Sequence, residues 1–171
     1  MLDNFANILG KFSNPAPYFL ALLFLFLIVF IYGISAGRGR MILMLLSLYA
    51  AIVLSALFPY RLYLSQNIKA GQPYFIELGL FLVSFFVVLL LILNSPLRSL
   101  AVRSRSPIFQ ILILSVLILG ILVSHLTGLL PAEITVKLDH PVFTYFKSTA
   151  AQFWWALAGM VFLGLLQRRG E

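Results

Sequence analysis

A polytopic bundle of transmembrane α-helices is the fold class this sequence predicts, and three observations carry it. The chain holds five apolar runs of about twenty residues, the length that crosses a hydrocarbon core about 30 Å thick. None of the runs has a charged residue in its middle, and the joints between them are short and rich in Gly, Pro and Arg. Because lipid offers no partner to a free backbone group, spanning segments are helices or closed barrels. Continuous apolar runs, in place of alternating ones, exclude the barrel. The composition agrees: 62% of the residues are hydrophobic and 10% charged, against about a quarter charged in a soluble domain. A mean hydropathy of +1.05 is beyond what a soluble fold of this size can hide. The whole of residues 1–171 reads as one membrane domain, with no internal repeat and no low-complexity tract.

The elements follow in order. In residues 1–16, Leu2, Phe5, Ile8, Leu9 and Phe12 fall at helical spacing on one face until Asn14-Pro15-Ala16-Pro17 breaks the pattern. This predicts an amphipathic segment lying in the membrane interface or a short packing helix at the bundle's edge. The first span covers 17–36. It lacks the clustered positive charge that precedes a signal sequence, and its arginines come after it, so it is read as a retained span. The basic turn Gly37-Arg38-Gly39-Arg40 joins it to a second span at 41–58. The third covers 74–94, with Glu77 close enough to its start to reach the interface. The fourth covers 108–130 and the fifth 149–167. Before the fifth, Glu133 to Asp139 alternates polar and apolar residues and is expected to lie extended across the ends of the spans. Asp139 is expected to cap a helix entered at Pro141, with Phe143, Tyr145, Phe146, Trp154 and Trp155 forming an interfacial aromatic belt.

Orientation follows from the arginines, since short basic loops are retained in the cytoplasm. With five spans, residues 37–40, 95–107 and the C-terminus share a side. That side collects Arg38, Arg40, Arg98, Arg103, Arg105, Arg168 and Arg169, opposed only by Glu171. The prediction is N-terminus out and C-terminus in. The net charge of +7 is then a topological signal with some attraction to anionic lipid. It does not point to nucleic acid, because no basic face is long enough to track phosphates.

Little in the chain resembles catalytic machinery. There is no cysteine, His125 and His140 are not at metal-ligand spacing, and the five acids are dispersed. No HExxH, GxSxG or phosphate-cradling glycine loop is present, so neither a catalytic centre nor a cofactor or metal site is expected. The one polar constellation is Glu77, His125, Asp139 and His140, all on the outer side in this topology. Ionisable groups at membrane depth are functional-site hypotheses by default, and His125 is placed to exchange a proton with Glu77 if the third and fourth spans touch. The alternative is that these groups sit hydrated among the headgroups.

Small residues mark packing seams. Gly33 and Gly37 form a GxxxG pattern, Ser47, Ala51 and Ser55 recur at every fourth position, and so do Gly120, Ser124 and Gly128. Such stripes let helices approach closely in lipid, within one chain or against a second copy. The short basic joint makes the first two spans neighbours, with Gly33 and Ala51 expected between them. Ser84, Gln110 and Ser115 are expected to bond to neighbouring helices.

Across Leu20–Leu97, the run ending in Tyr32-Gly33, the Gly37-Arg38-Gly39-Arg40 turn, Leu46-Ser47-Leu48 with Ala50-Ala51, and the long third span together resemble the bacterial colicin V production protein family. The acidic residue that commonly follows the turn in that family is absent here, and Ser106-Pro107 stands where a Gly-rich pattern is usual. The resemblance implies a small inner-membrane protein with a role in export or envelope processes and no catalytic residues to assign. The expected function is therefore an accessory or scaffold component, in contact with lipid and with other membrane subunits or copies of itself. The alternative is a small oligomeric transporter or channel.

Overall fold

The computed structural model describes residues 17–60, 63, 73–95, 108–131, 146 and 148–168. They form a helical bundle of five long helices: α1 (Pro17–Ala36), α2 (Arg38–Leu57), α3 (Pro73–Asn94), α4 (Ile108–Leu129) and α5 (Thr149–Arg168). No strand occurs among the described residues. Helices α2 to α5 are each long and apolar enough to cross a membrane, whereas the apolar stretch Leu20–Ala36 of α1 is shorter. The amphipathic reading of 1–16, the alternating segment from Glu133 and the cap at Asp139 lie outside the described residues, as do Arg98, Arg103, Arg105, His140 and Arg169.

The first joint is tighter than the sequence suggests. Helix α2 begins at Arg38, not Met41, so Gly37 alone makes the turn, with φ +82. Only glycine enters that left-handed region without strain. The Gly37 N–H donates to Gly33 O at 2.9 Å, and the Met41 N–H donates to Gly37 O at 3.3 Å, so the two helical ladders meet at one residue. Gly37 is therefore a turn residue and not half of a GxxxG seam; a Cβ built on it meets nothing within 4 Å.

Specific contacts fix the directions of the helices. Leu22, Leu25 and Phe26, early in α1, pack on Leu119 and Val123, late in α4, while Gly33 near the end of α1 faces Ile111 near the start of α4. These two helices are antiparallel. Arg38 and Gln110 join the starts of α2 and α4, so that pair runs the same way. Phe81 early in α3 meets His125 late in α4, and Gln152 early in α5 meets Ser124 late in α4, which makes both pairs antiparallel. The chain thus alternates direction from helix to helix.

Helix α4 is the axis of the bundle. Eleven of its residues are buried, from Ile111 to Thr127, and α1, α2, α3 and α5 all touch it. The core joins Leu114, Ile118 and Ile121 of α4 to Met41, Leu45, Leu48 and Ala51 of α2, Phe81 of α3 and Val29 of α1. The short basic joint does not make α2 the main partner of α1. Helix α1 packs more extensively on α4 than on α2, and the nearest atom to a Cβ built on Gly33 is Ile111 Cγ2 at 2.7 Å, ahead of Met41 at 3.1 Å. Adjacency in sequence did not decide this pairing, because bare glycine backbone seats the β-branched Ile111. The outward faces of α1, α3 and α5 are broadly apolar, with Phe24, Ile31, Phe86, Leu90, Phe153 and Trp154 all exposed. Water solvates such surface poorly and hydrocarbon solvates it well.

Candidate functional site

The candidate site lies where the last turns of α4 meet the first turns of α3 and α5. Helix α5 starts at Thr149 because Ser148 caps it: the Ala151 N–H donates to Ser148 Oγ at 3.0 Å, a bond that satisfies one of the free donors of a helix start. Capping sets the register that aims Gln152 at α4, where its Nε2 donates to the Ser124 carbonyl oxygen at 2.9 Å. Gly128 makes this possible, since a Cβ there would collide with Gln152 Nε2. Thr127 Oγ1 lies 3.0 Å from Ser124 O and 3.2 Å from Phe146 O, which ties the approach to α5 onto α4. Phe146 in turn stacks on Trp155 at 5.6 Å between centroids.

The stripe of Gly120, Ser124 and Gly128 is thus an intramolecular seam between α4 and α5. Trp155 occupies the space a side chain at Gly120 would need. The two tryptophans expected in one aromatic belt therefore part company: Trp154 is 64% exposed, whereas Trp155 is half-buried against α4. Neighbours in a helix point about 100° apart, so only one of them can face the seam.

Two members of the expected polar constellation fall within the described residues. Glu77 is half-buried in the second turn of α3, one turn before Phe81 on the same face, and it is not without a partner. His125 is half-buried, with its ring tilted against the fully buried Phe81 at 4.7 Å between centroids. Its Nε2 and the neighbouring Ser124 Oγ are buried polar atoms with no hydrogen-bond partner among the described residues. His125 therefore presents an aromatic face to α3 as well as a titratable edge. Asp139 and His140 lie outside the described residues. Among the described residues no group of three or more His, Asp and Glu is placed to hold a metal ion.

The other seams resolve the same way. Ser47 and Ala51 of α2 are fully buried and Ser55 is half-buried. Ser47 and Ser115 turn back to their own helices, donating to Leu43 O at 2.8 Å and Ile111 O at 2.9 Å. Ser115 therefore does not bond a neighbouring helix as expected, because a short hydroxyl in a helix reaches its own preceding turn first. Gln110 does bond a neighbour, accepting from Arg38 Nη1 at 2.9 Å. Sequence reading passed over Tyr49, whose hydroxyl donates to the Ala156 carbonyl oxygen at 2.5 Å. Gly159 leaves the room it needs. A phenol in the middle of an apolar run was the available signal, since a buried tyrosine hydroxyl usually finds an acceptor. Gln152 gave a similar signal near the start of the last run.

No family model, curated protein or solved structure matches this chain.

Proposed function

We propose that this protein works by contact, as a non-catalytic accessory or scaffold component of a bacterial cytoplasmic-membrane assembly. The export or envelope role comes from its resemblance to colicin V production proteins. One observation supports the reading above the others: polar groups inside the helices are used to fasten helix to helix. Gln152 bonds α5 to α4, Tyr49 bonds α2 to α5, and Arg38 bonds α2 to α4. That leaves a tightly keyed bundle whose outward faces are apolar, a form suited to presenting surface within the bilayer. In the proposed orientation the α1–α2 turn and the C-terminus face the cytoplasm, in keeping with the arginine bias. A small transporter is the second reading, favoured by the unpartnered His125 Nε2 and Ser124 Oγ.

The test is complementation of a strain lacking the protein, scored for export or envelope defects at matched membrane abundance. Glu77→Gln and His125→Asn retain most function on the contact reading, whereas Gly120→Leu loses it. Complete loss in His125→Asn, with normal insertion and assembly, would transfer the case to the transporter.

A further inference from the structure

We infer that the end of the bundle where α2 and α4 begin binds the phosphate group of an anionic phospholipid through Arg38, with Arg40 adding charge beside it. Arg38 is half-buried at the head of α2, and its Nη1 donates to Gln110 Oε1 in the first turn of α4 at 2.9 Å. That bond holds the guanidinium between the starts of two helices running the same way. A guanidinium carries five N–H donors in a planar fork suited to phosphate oxygens, and the bond to Gln110 uses one of them. Gln110 is neutral, so it fixes the position of the charge without balancing it.

Among the described residues, the surroundings lack a counter-charge. Neither α2 nor α4 has an acidic residue in its first turn, and Glu77, the one carboxylate among the described residues, lies near the start of α3, at the opposite end of the bundle. Two arginines in the first turn of a helix also oppose its dipole, whose positive end is the N-terminus. An anion at this place offsets both the dipole and the arginines. At the end of a membrane helix the abundant anion is the lipid phosphate, and the flanking side chains suit its acyl chains. Ile34 in the last turn of α1 and Ile108 and Phe109 in the first turn of α4 are exposed. Gly33 brings those two helix ends together over Ile111. The inference stands independently of the contact role proposed above.

The purified protein in neutral detergent is titrated with phosphatidylglycerol or with phosphatidylcholine, and bound lipid is counted by native mass spectrometry. Phosphatidylglycerol is expected to bind the more tightly. Arg38→Gln weakens it about fivefold, the effect of one interfacial arginine, while phosphatidylcholine binding stays where it was. Arg40→Gln weakens it by a smaller factor, and raising the salt narrows the gap between the two lipids. Millimolar inorganic phosphate leaves the lipid bound, because the free ion lacks the chains. Equal binding of the two lipids, displacement by inorganic phosphate, or wild-type binding in Arg38→Gln overturns the proposal. If Arg38→Gln fails to assemble, Arg40→Gln and the salt series decide, and an unchanged lipid preference in both is equally fatal.

Discussion

Helices α3 and α4 are the same length, 22 residues each, and both are long, predominantly apolar runs in the sequence, yet the bundle uses them in opposite ways. Helix α4 buries eleven residues; α3, although closely paired with α2, buries only Phe81 and Val88 among its described side chains. Both are apolar enough for lipid, so hydropathy does not separate them. Residue size does. Helix α4 carries Ser115, Gly120, Ser124, Thr127 and Gly128, and partners enter the gaps these leave: Trp155 over Gly120 and Gln152 over Gly128. Helix α3 offers only Gly79 and Ser84, and nothing lies within 4 Å of a Cβ built on Gly79. In hydrocarbon, where apolar burial gives no net drive, close backbone approach and dispersion decide which helix takes the centre.

The hardest way to break this contrast is to fill α4. Gly120→Leu drives a branched side chain into the Trp155 ring, which is rigid and already stacked on Phe146. Overpacking typically costs about 1–3 kcal/mol and occasionally more, and this site is expected at or above the top of that range. Thermal unfolding in detergent measures it. Adding Trp155→Ala to Gly120→Leu is expected to recover part of the loss, since it removes the ring the new side chain meets. A fully additive pair would mean that the damage arises elsewhere.

Gly33→Leu is expected to do less, in the lower half of the same range of about 1–3 kcal/mol. The atoms in its way are a methyl of Ile111 and the thioether end of Met41, both able to move, and methionine in particular adapts to irregular space. Crosslinking between cysteines placed in α1 and α4 should weaken in this variant. An unchanged yield together with wild-type unfolding would remove Gly33 from the seam.

The contrast also marks how far sequence reading reaches. The runs themselves were legible because charge-free stretches of this length have few alternatives, and α1 appears at 17–36 as expected. The small-residue stripe on α4 was legible as a seam, but not its partner, because Trp155 and Gln152 meet it only once α5 folds back antiparallel. Gly33 was legible as a packing residue against α2, where it does meet Met41, but its closer contact with Ile111 of α4 was not, since a tight turn suggests a hairpin and says nothing of a third helix. His125 read as hydrated among the headgroups or as a proton-exchange partner of Glu77; its contact with Phe81 depends on the rotational phase of two helices, which no short-range pattern encodes. Arg38 read as a topology signal, and its bond to Gln110 spans 72 positions, out of range of any local rule.

A gentler probe keeps the shape of the α4–α5 seam and removes its hydrogen bond. Gln152→Met preserves length and takes away the donor to Ser124 O. Interhelical side-chain bonds in membrane proteins average about 0.6 kcal/mol and reach about 1.7, so a loss of about 1 kcal/mol is expected. No measurable change would mean that Gly128 and Gly120 hold the seam by packing alone.

The smallest effect expected is also the most informative about α3. Gly79→Ala adds a methyl where nothing lies within 4 Å, and it replaces the poorest ordinary helix former by the best, a gain of up to about 1 kcal/mol in a soluble helix. In a span, where lipid leaves the backbone no alternative to helical hydrogen bonds, less of that gain is available, so stability should stay level or rise slightly. Gly120→Ala, the same chemical change on α4, puts its methyl into the Trp155 ring and should cost stability. Measured side by side in detergent, the two substitutions are expected to have opposite signs or to differ clearly in size. Measured again in native membranes, Gly79→Ala becomes a probe for covering of α3. If it is silent in the purified protein but impairs function at matched abundance, another helix packs on α3 in the working assembly, and the contact reading gains a location. If it is silent in both, that part of α3 faces lipid, and the search for a contact surface moves to the outward faces of α1 and α5.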